Sequence, residues 1–94
     1  MKALSEPMYR LADREVLRIL MKRTGDGRPV GIRGLAEAAG VHHSTIGHLL
    51  TGVQDTAPES VALAVADRIG VDLPVLWTRD GRTLRSLQRL AVSA

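Results

Sequence analysis

All three histidines of the chain fall inside one ten-residue window, with three hydroxyl side chains among them: His42, His43, Ser44, Thr45, His48 and Thr51. Such groups can ligate a metal, pass protons or trade hydrogen bonds with a polar surface. Spacing discriminates among these uses. His43 and His48 are five residues apart, so on a helix their rings point in different directions, whereas a helical zinc pair needs four. No carboxylate lies between Glu37 and Asp55, and the chain has no cysteine. No metal site and no cofactor are therefore expected. Ser44 lacks the Gly-x-Ser-x-Gly context of a nucleophile elbow, and no acid/base pair falls in a catalytic arrangement, so no enzyme activity and no catalytic residue are expected. Hydrogen bonding to a polar partner is the chemistry that remains.

The elements that must position these groups can be read from Ile32 to Gly52. Two short helices are predicted, Ile32 to Ala39 and roughly His43 to Thr51. Gly40 sits at the sharp turn between them, where a left-handed backbone is needed. Leu35, Ala39, Val41, Ile46 and Leu49 fall where two crossed helices would meet, and Ala36 is small at the closest approach. With Ile46 and Leu49 inward, Ser44, Gly47, His48 and Thr51 face outward. His42, His43 and Thr45 lie at the exposed start of the second helix. This is the layout of a helix-turn-helix, whose second helix is the type that enters a DNA major groove.

Leu35-Ala36, Gly40-Val41, Ile46, Leu49 and Thr51-Gly52 together resemble the helix-turn-helix of the lambda-repressor/Cro-like (XRE) family. The resemblance continues from Pro58 to Trp77, which is similar to the family's fourth and short fifth helices. With a first helix ending near Arg23, it covers about two thirds of the chain. It implies an all-α fold: a five-helix lambda-repressor-like domain, here with an additional C-terminal helix. It also implies double-stranded DNA as partner. Carried over position by position, the base-reading places fall on His43, Ser44, Thr45 and His48. That set contains no Arg, Asn or Gln, so each contact should discriminate less than a bidentate pair worth about 1–3 kcal/mol. DNA shape, water and dimer spacing would then carry part of the specificity. Expected phosphate contacts are Arg33, His42, Thr51 and Gln54, with Arg28 a weaker candidate. Protonation of the histidines beside phosphates predicts tighter binding as pH falls from about 8 to about 6.

Along the chain, residues 1–12 read as a loosely ordered lead-in, 13–77 as the DNA-binding domain and 78–94 as a basic helical extension. Asp13 is a plausible N-cap for a helix from Arg14 to Arg23. Val16, Leu17, Leu20 and Met21 share one face of it. Arg14, Arg18 and Lys22 form a ridge, read as a solvated face, with phosphate contact as the alternative. Thr24 to Pro29 is a Gly-rich connector without the Gly-Lys-Ser/Thr ending of a phosphate loop. Thr56 and Glu59 have the spacing of a capping box, and Pro58 suits a first turn. Val61, Ala62, Val65, Ala66 and Ile69 would be buried. Asp72 would cap a short helix from Leu73 to Trp77, with Leu76 and Trp77 closing the core. Asp80-Gly81 marks a turn. Arg82 to Ala91 then has helical periodicity, with a candidate dimer stripe of Leu84, Leu87 and Leu90 beside a basic stripe of Arg82, Arg85 and Arg89 that could contact DNA. Leu63, facing away from the predicted core, is a further dimer candidate.

Ninety-four residues allow one domain. With no Phe, one Tyr and one Trp, the core must be aliphatic. No apolar run approaches the roughly 20 residues of a membrane span, and the first residues lack an apolar signal core. A cytoplasmic protein, nucleoid-associated when bound, is expected, with no membrane partner. Thirteen Lys and Arg against ten Asp and Glu give a net charge of +3, which suits an anionic partner. The function expected is a sequence-specific transcriptional regulator, a Cro-like or immunity-type phage repressor that blocks transcription from an operator. It would act as a homodimer on a palindrome with recognition helices about 34–36 Å apart. The alternatives are an antitoxin or phage factor of the same fold that binds a protein partner, and an excisionase-like recombination accessory.

Overall fold

The computed structural model describes residues 6–83. The elements are β1 (Pro7–Leu11), α1 (Arg14–Lys22), α2 (Ile32–Ala39), α3 (His43–Thr51), β2 (Thr56–Pro58), α4 (Glu59–Ile69), α5 (Leu73–Leu76) and β3 (Trp77–Thr83). The five expected helices are present, but the all-α expectation is overturned. β1 is the centre of a three-stranded antiparallel sheet in the order β2-β1-β3, so the domain is α/β.

A strand therefore runs through the stretch read as a lead-in. Pro-Met-Tyr-Arg-Leu is too short to establish a period, and its partners lie about 45 to 75 residues away in sequence. In the fold Met8, Tyr9 and Leu11 are buried and Arg10 is exposed. β3 likewise occupies residues expected to be a turn and the start of a helix. Asp80-Gly81 is a bulge: Pro7 pairs with Thr83 and Tyr9 with Arg79, so the two-residue step on β1 faces four on β3. Arg82 lies in this strand. Leu84, Arg85, Leu87, Arg89 and Leu90 lie outside the described residues.

The core is aliphatic at its centre, with Leu17, Leu35, Ile46, Leu49, Val65, Ile69 and Leu76 fully buried. Tyr9, Leu11, Ala57 and Trp77 join it from the sheet. Helix starts divide into local and long-range solutions. Asp13 caps α1 by accepting the Glu15 N–H at 2.8 Å. The expected Thr56/Glu59 capping box does not form. Thr56 is paired with Arg10 in the sheet, and Pro58 is the N-cap of α4. The Glu59 carboxylate accepts the Tyr9 hydroxyl at 3.1 Å, while the Ser60 N–H is taken by the Glu6 carboxylate. Asp72 stands at the N-cap of α5 without a side-chain cap bond, and that helix stops at Leu76 because Trp77 opens β3.

The N-terminal segment thus reaches three other elements. Arg10 pairs with Asp55 ahead of β2 and, at 3.2 Å, with Asp80 in β3. The Leu11 N–H donates to the Asp55 carbonyl at 2.7 Å. The two interactions with Asp55 fix the loop that follows α3.

Candidate nucleic-acid interface

α2 and α3 are joined at Gly40, whose φ of 69° lies in the left-handed region that favours glycine. The Val41 N–H returns to the Ala36 carbonyl at 3.0 Å and closes the turn. Leu35, Ala36, Ile46 and Leu49 are buried between the helices and the rest of the core, and Ala39 and Val41 pack at its margin. Burial of Ile46 and Leu49 fixes the rotation of α3. His43, Ser44, His48 and Thr51 are exposed along its outer side, whereas Thr45 is half-buried.

His42 caps α3 from the preceding position. Its Nδ1 accepts the Ser44 N–H at 3.2 Å and lies 2.9 Å from Ser44 Oγ. An accepting Nδ1 places the ring proton of the neutral imidazole on Nε2. The His42 and His43 rings are in contact, with centroids 4.2 Å apart and planes tilted by 32°. Desolvation by its neighbours holds the His43 imidazole below its ordinary pKa, and the charges of His42 and Arg33 push the same way. The shift favours the neutral ring of His43, which can donate from one nitrogen and accept at the other.

The expected phosphate contacts separate into distinct environments. Arg33 is exposed in the first turn of α2, close enough to bias His43. Gly31, the N-cap, supplies no side-chain acceptor there. Arg33 makes no ion pair among the described residues. The Thr51 hydroxyl donates back to the His48 carbonyl at 3.3 Å. Gln54 is turned inward: its Nε2 donates to the Thr56 carbonyl at 2.9 Å and its N–H to the His48 carbonyl at 3.1 Å. That bond uses one of the two side-chain N–H donors, so a second N–H and the amide oxygen remain.

Arg28 is exposed on a loop whose bonds run to α4 rather than to α3. Asp26 accepts from Thr24 Oγ1 at 2.6 Å and from the Arg28 N–H at 2.9 Å, which together hold its carboxyl below the usual range. Asp26 also lies 3.8 Å from Arg68 on α4. The Gly25 N–H donates to the Ile69 carbonyl at 2.7 Å. A Cβ on Gly25 would sit 2.8 Å from the Gly70 carbonyl oxygen, so the loop docks through bare backbone.

Two arginines from the predicted ridge gather at the far end of α3. Arg18 donates to the Leu50 carbonyl at 2.8 Å and pairs with Glu15. Arg14 lies against Gly52, the left-handed residue that ends α3. The i, i+4 spacing of Arg14 and Arg18 put both on one side of α1, but nothing local indicated that this side meets α3. Leu63, the described member of the expected dimer set, is 47% exposed on α4. Among the described residues no group of His, Cys, Asp or Glu is arranged to hold a metal ion, and no helix is long and apolar enough to cross a membrane. Searches among family models, curated proteins and solved structures find no match to this chain.

Proposed function

We propose that the protein binds double-stranded DNA in a sequence-dependent way and regulates transcription, with α3 in the major groove. The observation that carries this reading is the outer face of α3. It presents His43, Ser44, His48 and Thr51 to solvent, contains no carboxylate, and has the Arg33 charge near its start. A helix about 10–12 Å across fits a groove roughly 12 Å wide, and the nine residues of α3 would run about 13–14 Å along it. Phosphate contacts would set the pose, and the imidazoles and hydroxyls would meet base edges. The resemblance of residues 32–52 and 58–77 to the lambda-repressor/Cro-like family favours the same use. Occupying an operator and blocking polymerase is the simplest action for so small a domain.

A protein-binding role, as an antitoxin or an interaction factor, is the second reading. It is favoured by the absence of Arg, Asn and Gln from α3 and by the exposed Leu63. Selection of bound duplexes from a random pool separates the two. Enrichment of a defined motif supports the regulator; salt-sensitive bulk binding without enrichment supports the protein partner.

A further inference from the structure

The loop that leaves α3, Gly52-Val53-Gln54-Asp55, carries no cation. A DNA strand passing the end of α3 would meet the negative end of the helix dipole and, one loop further on, Asp55. The fold answers both from other elements. Arg10 of β1 pairs with Asp55. Arg14 of α1 lies on the backbone of Gly52, and a Cβ at residue 52 would collide with its guanidinium.

Arg14 borders a cleft of about 380 Å3 whose floor includes Leu11 and Leu49. Three carboxylates line that cleft, and each has a different partner: Asp13 caps α1, Glu15 pairs with Arg18 and Asp55 pairs with Arg10. Arg14 makes no ion pair among the described residues and is exposed. Its own helix does not account for it, since a cation in a first turn opposes the dipole. Arg14 thus stands beside the C-terminal end of α3 with no carboxylate partner among the described residues, as Arg33 stands near the N-terminal end.

We propose that Arg14 is a phosphate-binding residue, contacting the DNA backbone beside the C-terminal end of α3 while Arg33 contacts it beside the start. The inference rests on the DNA-binding reading. Non-specific binding is governed by phosphate contacts, so a labelled duplex of mixed sequence is a sufficient probe. The measurement is affinity against salt concentration for the wild-type chain, Arg14→Gln, Arg14→Lys and Arg23→Gln, each with its thermal midpoint. Arg23 is exposed at the opposite end of α1 and controls for loss of one charge.

Arg14→Gln is expected to flatten the slope of log affinity against log salt by about 0.9, the value for one phosphate contact. Arg14→Lys should restore the slope, and Arg23→Gln should leave it at the wild-type value. A wild-type slope in Arg14→Gln, with only a lowered thermal midpoint, would overturn the proposal and make Arg14 a structural complement to the end of α3. Equal flattening by Arg23→Gln would overturn it too, by showing bulk charge rather than contact. If the wild-type chain binds no duplex even at low salt, the DNA-binding reading itself falls and takes this inference with it.

Discussion

His42 can cap α3 only while its Nδ1 is unprotonated, because that atom receives the Ser44 N–H. Protonation at this ring would therefore loosen the first turn of α3, whereas protonation of His43 would add a charge beside phosphate. His43 is held below its ordinary pKa in the free protein, so its charged form is disfavoured there. Phosphates would raise it again, and binding would take up a proton. Affinity at fixed salt should thus rise as pH falls through the histidine range. His43→Gln should abolish it; a rise of equal size in that variant would refute the assignment. The same shift has a stability sign. A folded-state pKa below the unfolded one makes its contribution complete above the ordinary value, and that contribution is lost as pH falls toward the folded value. If α3 reads bases as proposed, His48→Ala should reduce discrimination among duplexes more than it reduces bulk affinity, since base contacts rather than phosphate contacts carry sequence information. Competition binding with matched and mismatched duplexes checks it.

At the scale of elements, α2 and α3 were legible because their signals are local. The apolar spacing of Leu35, Ile46 and Leu49, the turn at Gly40 and the Asp13 cap each involve residues within a turn or two of one another. The sheet was not legible. Thr56 and Glu59 satisfy a local capping rule, yet Tyr9 takes the Glu59 carboxylate and Glu6 takes the neighbouring Ser60 N–H, each from some fifty residues away. Asp80-Gly81 reads as a turn in isolation and is a bulge once β1 lies beside it. Of the candidate site, the outward face of α3 followed from periodicity, but the inward turn of Gln54 and the reach of Arg14 and Arg18 depend on tertiary contacts. Two substitutions test the elements. Leu35→Ala removes a fully buried side chain from the α2 contact and should cost about 2–5 kcal/mol by chemical denaturation. Gly52→Ala forces a Cβ onto a residue with φ of 85°, against the Arg14 guanidinium, and should cost at least about 1–2 kcal/mol. A neutral Gly52→Ala would show that the end of α3 is not held as described.

For the whole molecule, β1 is the piece that joins the start of the chain to both halves of the fold. It pairs with β2 and β3, positions the loop after α3 through Arg10 and Leu11, and lies beside the Glu6 cap of α4. Removing residues 1–11 leaves β2 and β3 without a common partner and uncovers Ala57 and Trp77. The truncated chain should lose cooperative thermal unfolding, rather than merely shed a frayed end; an unchanged melting curve would contradict the central place of β1. If the protein acts as a dimer, its two α3 helices must enter the groove about one helical turn apart. Duplex selection from a random pool at about 100–150 mM salt, where non-specific phosphate binding is already weakened, is the most direct test of DNA recognition by α3. An enriched motif, lost or altered in a His43→Ala, His48→Ala double variant that still folds, is the predicted result. No enrichment from a folded wild-type chain would contradict it.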